Sequence, residues 1–270
     1  MRWTAKVASV GGRHVHYLDG GTTTSADVVL LIHAFPLGMR MWERVTLPEG
    51  WRGVAPALPG FDGVAPPDAG STSLDDYASA VLAFMDALGI DHAVAAGVSM
   101  GGYVTFALWR LARLRWRALV LADTRAGADT AEGRAGRDAM LATVRDKGGR
   151  AVADAMLPKL LGETTHARNP ALVDHVRRLI ERQTTEGIAA AIVRLRDRPD
   201  STPLLAGIGV PVLVAVGEDD IVTPPAESEL MHARLEDARL VRIPDAGHLA
   251  CLESPAAFDA ALGSFLTSIR

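Results

Sequence analysis

The spacing of apolar and polar positions along the chain changes several times, and each change marks an element. Lys6 to Val10 and Arg13 to Leu18 alternate between the two classes on either side of Gly11-Gly12. That dipeptide tolerates the positive φ of a tight turn, so the pair predicts an antiparallel hairpin at a sheet edge. Val28 to Ile32 is instead a continuous apolar run, the pattern of a strand covered by helices on both faces. Similar short runs recur at Ala93 to Gly97, Ala118 to Ala122 and Pro211 to Val216, and Arg52 to Pro56 and Arg239 to Ile243 read as further strands. Helical periods lie between them. Tyr77, Val81, Phe84, Met85 and Leu88 share one helix face, with Ser71-Thr72-Ser73 offering N-cap hydroxyls, Asp75 and Asp76 in the first turn and Gly89 closing the end. Met100 to Trp109, Ala226 to Leu235 and Pro255 to Ser268 complete the set, the last turning Phe258, Leu262 and Phe265 inward. Strand, helix, strand in this rhythm predicts a parallel α/β sheet.

From Arg125 to Ile208 the rhythm stops. The pattern there is helical and rich in Ala, Arg and Leu, with candidate helices at Arg134 to Lys147, Gly149 to Leu161, Pro170 to Gln183 and Glu186 to Arg196, and a return linker from Arg198 to Pro203. An all-helical block inside an α/β alternation reads as an insertion. The expected organisation is a core of residues 1–125 and 209–270 carrying a helical cap of residues 126–208.

Bulk properties narrow the partners. The 270 residues are 49% hydrophobic with a formal charge of −4, and the 28 Lys and Arg are interspersed among 32 Asp and Glu, so no basic footprint for nucleic acid exists. The single cysteine, Cys251, excludes an internal disulfide and a multi-cysteine metal site, and sits in an apolar stretch as a small buried hydrophobe. The N-terminal stretch has no signal-type apolar core, and no run is long enough to span a membrane. A soluble, cytoplasmic protein with a small-molecule substrate, and no membrane or nucleic-acid partner, is the expectation.

The chemistry gathers where apolar runs end. Gly97-Val98-Ser99-Met100-Gly101 is the Gly-x-Ser-x-Gly pattern of a nucleophile elbow, in which the serine stands on a strand-to-helix turn too tight for bulky neighbours. The following helix aims its N-terminal amides and positive dipole end at the hydroxyl. Open parallel sheets collect their chemistry at the carboxyl ends of strands. The other strand ends here carry His33-Ala34-Phe35, Asp219-Asp220 and Ala246-Gly247-His248. Ser, acid, His is the chain order of α/β-hydrolases, and either aspartate fits it.

Together with Leu31 to Gly38, Gly217 to Pro225 and Ala246 to Leu249, these motifs resemble α/β-hydrolase-fold proteins along essentially the whole chain. The subgroup it is most similar to is that of 3-oxoadipate enol-lactonases, small carboxylesterases and cofactor-free perhydrolases. The resemblance implies a mostly parallel eight-stranded sheet flanked by helices, with a helical cap inserted after strand 6, and a serine hydrolase of esters or lactones. It implies Ser99 as nucleophile, His248 as general base and acid, and, from the Gly-x-x-Asp form of the family loop, Asp220 rather than Asp219 as the carboxylate. Asp123, ending the sixth strand, is the alternative acid position in related hydrolases, with a turn or cap role as its plainer reading. The backbone N–H groups of Phe35 and Met100 are the implied oxyanion hole, although Ala34 replaces the family's usual glycine and requires negative φ there. Trp42 and Met41 either line the acyl pocket or pack a short helix, and Trp42 is taken as substrate-binding. His33 is read as a structural hydrogen-bonder. The remaining histidines lack metal-ligand spacing, so no metal and no cofactor is implied. Peroxide chemistry on the same triad, C–C bond hydrolysis, or ligand binding without turnover are the competing uses. Among Arg177, Arg178, Arg182, Arg194, Arg196 and Arg198, most are expected on a solvated face, and one turned inward would favour a carboxylate-bearing substrate.

Overall fold

A computed structural model of the chain describes residues 1–67 and 70–270. Eight strands form one sheet: β1 (Trp3–Val10), β2 (Arg13–Gly21), β3 (Val28–Ile32), β4 (Arg52–Pro56), β5 (Ala93–Val98), β6 (Trp116–Ala122), β7 (Val212–Gly217) and β8 (Ala238–Ile243). Their spatial order is β1-β2-β4-β3-β5-β6-β7-β8, antiparallel for β1 with β2 and β2 with β4 and parallel for every other neighbouring pair. The eight-stranded, mostly parallel sheet implied by the sequence is therefore present. β3, β5 and β7 are buried at every residue, which is why their sequences carry no alternation. Burying each Val, Leu or Ile of these strands contributes about 1.5–3 kcal/mol.

Helices α1 (Asp75–Ala87) and α2 (Met100–Leu111) pack on each other, with α2 also against β5 and β6, while α7 (Pro225–His232) and α9 (Pro255–Ser268) pack against β7 and β8. A short turn, α8 (Ala250–Glu253), precedes α9. The start of α1 carries one of the hydroxyls that the sequence offered. The Ser73 hydroxyl accepts from the amide of Asp75, the first residue of α1, at 3.1 Å, and Leu74 between them already has helical φ/ψ.

Between β6 and β7 stand four α-helices and no strand among the described residues: α3 (Ala131–Leu160), α4 (Glu163–Arg168), α5 (Pro170–Glu181) and α6 (Thr185–Arg196), followed by a short 3-10 turn, Thr202–Gly207. α3 is broken at Gly148, whose φ of 71° and ψ of −171° lie outside helical space, so two helical stretches meet there as the glycines at 148 and 149 suggested. Apolar faces hold the group together, Leu141, Val144 and Val152 of α3 meeting Leu172, Val176 and Ile180 of α5 and Ile188, Ile192 and Leu195 of α6 in the common core. The group touches the sheet half of the molecule backbone to backbone at two places. A Cβ added at Gly187 would lie 1.8 Å from the Gly60 carbonyl oxygen, and one added at Gly247 would lie 2.5 Å from the Gly162 nitrogen.

Candidate active site

Ser99 occupies the single residue between β5 and α2, with φ 55° and ψ −113°. A non-glycine residue in that region costs about 1–3 kcal/mol and persists only when its surroundings over-determine it. They do so here. The Ser99 amide donates to the Ala122 carbonyl at 2.9 Å, the Thr124 hydroxyl donates to the Ser99 carbonyl at 2.9 Å, and the Gly102 amide donates to the same carbonyl at 2.9 Å. The elbow glycines are fixed by close approach. A Cβ at Gly97 would lie 2.2 Å from the Gly101 carbonyl carbon, and one at Gly101 would lie 2.1 Å from the Ile32 carbonyl oxygen.

His248 lies in the loop after β8 and is buried. Its Nε2 faces the Ser99 Oγ at 2.8 Å and its Nδ1 faces the Asp220 Oδ2 at 2.8 Å. Asp220 follows β7, and its carboxylate is held from the other side. Oδ1 accepts from the Val222 and Thr223 amides at 2.8 and 2.9 Å, and Oδ2 from the Thr223 hydroxyl at 2.7 Å. Burial works to raise the Asp220 carboxyl, but the charge and hydrogen bond of His248, with the Thr223 donors, outweigh it and hold the group below the usual carboxylate range. An ionised Asp220 is acceptor-only, so Nδ1 carries the imidazole proton and Nε2 is free to accept from the serine hydroxyl. Asp219, one residue earlier, is exposed.

Asp123 has a different place. It is buried at the end of β6 with φ 45°, its Oδ1 accepting from Gly217 N at 2.9 Å and its Oδ2 from Ala250 N at 3.1 Å. It thus ties the end of β7 to the start of α8. Burial, with Asp220 nearby adding to it, pushes this carboxyl well above the ordinary carboxylate value.

The loop after β3 carries the other donors. Ala34 is not among the left-handed residues, so alanine sits there without strain, and its amide is taken by the Met41 sulfur at 3.1 Å. Met41 therefore packs beneath this loop. Among the described residues no protein acceptor engages the Phe35 or Met100 amide. His33 supports the loop from below. Its Nδ1 donates to the Ala34 carbonyl at 3.1 Å and its Nε2 accepts from the Leu58 amide at 3.1 Å, while burial drops its pKa to about 4 and keeps the ring neutral. Trp42 is buried in the turn Met39–Arg44, its indole N–H without a partner.

Of the arginines in the helical segment, two are buried, and both are neutralised. Arg194 meets Asp76 at 2.7 Å, and Arg198 meets Asp129 at 2.9 Å while lying over the Tyr103 ring at 4.2 Å. Neither offers an unpaired guanidinium to a substrate.

Two polar anchors escaped the sequence reading. Gln183, at the end of α5, donates to the Leu37 carbonyl at 2.9 Å and accepts from the Asp62 amide at 2.9 Å, holding the loop that bears Phe35. Glu253 accepts from Gly247 N at 2.9 Å and Leu249 N at 3.2 Å through Oε1, and from Gly162 N and Thr165 Oγ1, both at 2.7 Å, through Oε2. An acidic residue directly after the apolar Leu249 to Leu252 was the available signal, since such a side chain has to find donors when it goes inside.

The α/β hydrolase fold family model matches residues 27–255 of this chain. A curated relative, the pimeloyl-[acyl-carrier protein] methyl ester esterase of Aromatoleum aromaticum, is 32% identical over 85% of this chain and 93% of its own length. Among solved structures, a thermophilic esterase from Thermogutta terrifontis superposes with a TM-score of 0.91 at 33% identity, covering 98% of this chain and 99% of that one. The enol-lactonase from Burkholderia xenovorans gives 0.88 at 27%, covering 97% and 100%. With the eight-stranded sheet, the serine on its strand-to-helix turn and these matches in hand, the chain belongs to the α/β-hydrolase fold family.

Proposed function

We propose that the protein is a serine hydrolase that cleaves carboxylic esters or lactones through an acyl-enzyme. The observation that carries this reading is the continuous Asp220–His248–Ser99 hydrogen-bond chain, with 2.8 Å at each side of the imidazole. In it, Ser99 Oγ adds to the carbonyl carbon as His248 Nε2 takes its proton, and Asp220 holds the resulting imidazolium. The oxyanion accepts from the Phe35 and Met100 amides, which have no competing protein acceptor among the described residues. Collapse breaks the C–O bond, and the departing alkoxide takes the proton from Nε2. A water then repeats the sequence on the acyl-serine and releases the acid.

Residues 126–208 act as a cap over this site, with residues 1–125 and 209–270 as the catalytic core. Trp42 lines the acyl side, a buried aromatic ring whose indole N–H has no protein partner among the described residues. Because Arg194 and Arg198 are already neutralised, an uncharged ester or lactone suits the site better than one bearing a free carboxylate. The methyl ester esterase, the thermophilic esterase and the enol-lactonase that the chain is similar to are all named for cleaving ester or lactone bonds.

The test is Ser99→Ala assayed on small aryl esters. Turnover should fall by about three orders of magnitude or more, and undiminished turnover would end this reading. Running the same assay with added hydrogen peroxide separates plain hydrolysis from peroxide use on the shared acyl-enzyme.

A further inference from the structure

Glu253 stands outside the hydrogen-bond chain, yet it is the only residue among those described whose side chain bonds to both amides flanking His248. The same carboxylate takes the amide of Gly162, the residue at the N-terminal cap of α4, and the hydroxyl of Thr165 within α4. Four donors meet two oxygens, one oxygen serving the histidine loop and the other the segment between β6 and β7. Backbone contact reinforces the joint, since a Cβ at Gly162 would lie 3.1 Å from the Gly247 nitrogen. No metal, catalytic proton or substrate atom is needed to explain this arrangement. What it fixes is position: the loop that aims the imidazole has the seat of α4 as its counterpart.

We infer that Glu253 is a positioning residue, one carboxylate that sets the aim of His248 and the seating of α4 together, so that displacement of the helical segment misaligns the imidazole. The inference rests on the hydrolase reading above. Its physical basis is that a general base displaced by about 1 Å from its nucleophile loses up to about a hundredfold in rate, while substrate binding is left alone.

The experiment compares wild type, Glu253→Gln, Thr165→Val and the double variant, with Ser99→Ala alongside. Each is assayed for kcat and KM on p-nitrophenyl acetate and for its thermal midpoint. Glutamine keeps one acceptor oxygen, which the two amides beside His248 claim, and turns its NH2 toward the Thr165 hydroxyl, which can rotate to accept, and the Gly162 amide, which loses its acceptor, so the α4 half of the joint is broken at Gly162. Glu253→Gln should lose about tenfold or more in kcat with KM within about twofold. Thr165→Val removes a single bond on the α4 side, and should lower kcat about threefold or more in the wild-type background and not at all on top of Glu253→Gln. A Glu253→Gln protein that melts near the wild-type midpoint and keeps its kcat overturns the inference, as do losses that multiply in the double variant. If Glu253→Gln does not fold, Thr165→Val decides alone: a lowered kcat at constant KM supports the joint, and a lowered melting point with unchanged kcat refutes it. Ser99→Ala keeps the two failures apart, because turnover that survives it removes the hydrolase reading itself.

Discussion

Replacing Asp220 with asparagine tests the hydrogen-bond chain without disturbing its shape. The carboxylate accepts from four donors: the Val222 and Thr223 amides at Oδ1, and the Thr223 hydroxyl and His248 Nδ1 at Oδ2. Asparagine has one oxygen for these two positions. Turning its NH2 toward the two backbone amides would leave both unsatisfied in a buried site, at about 1–3 kcal/mol each. The oxygen therefore takes the place of Oδ1. The NH2 then faces the Thr223 hydroxyl, which can rotate to accept, and His248 Nδ1, which must also become an acceptor. An imidazole that accepts at Nδ1 carries its proton at Nε2, 2.8 Å from the Ser99 oxygen, and cannot take the serine proton. Loss of the base by tautomer reversal costs about 10⁴ in kcat, the size documented for the same change in serine proteases, or about 5.5 kcal/mol of barrier. KM should move little, because no binding contact has gone. The assay is steady-state hydrolysis of p-nitrophenyl acetate, with Ser99→Ala as the floor and Asp123→Asn as the comparison. Among the described residues the Asp123 carboxylate bonds only to the Gly217 and Ala250 amides, so its variant should melt earlier and keep most of its kcat. An Asp220→Asn protein within about tenfold of wild type, with Asp123→Asn at the floor, would transfer the acid's role to Asp123 and refute the reasoning.

Two further outcomes follow from groups away from the serine. Asp129 is ion-paired with Arg125, Arg137 and Arg198, and although burial raises its carboxyl, the Arg198 hydrogen bond and the charges of Arg137 and Arg198 bring it to about 2. A folded value below the unfolded one stabilises above the ordinary carboxylate range, by about 2 kcal/mol here, and that contribution is lost as pH falls from about 4 through about 2. Denaturant unfolding should therefore show the gap between wild type and Asp129→Asn at pH 7 narrowing by pH 3, and a gap that stays constant rejects the ion-pair account. Gln183→Leu abandons the Leu37 carbonyl and the Asp62 amide in a buried place, so unfolding should lose about 3 kcal/mol. Its kcat should fall more than its KM rises, because the loop it releases carries Phe35, and an unchanged kcat would disconnect α5 from that loop.

Much of this architecture was legible in the chain because its strands end in chemistry. The apolar runs at β3, β5 and β7 are written without alternation since both faces are covered, and the tight turn at Ser99 demands glycines that anyone can read. Helix α4 was not anticipated, for a six-residue helix has too few turns to show a period. The serines before α1 suggested a side-chain cap, and the Ser73 hydroxyl takes the Asp75 amide, because such a cap is a local feature read from neighbouring residues. Arginine direction was also hidden. Arg194 and Arg198 lie in a segment where most arginines look outward, and only the distant Asp76 and Asp129 draw these two in. Glu253 and Gln183 show the same limit: each joins residues far apart in the chain, and such partnerships leave no local spacing to detect.

The meeting of Gly60 with Gly187, and of Gly162 with Gly247, gives the molecule two bearings that have no side chains to adjust. A single methyl group at either would act as a wedge, lifting the helices by main-chain collision alone. Substitution at these bearings would thus shift the helical segment as one body, whereas a change to a single side chain lying between them would act only where that side chain packs.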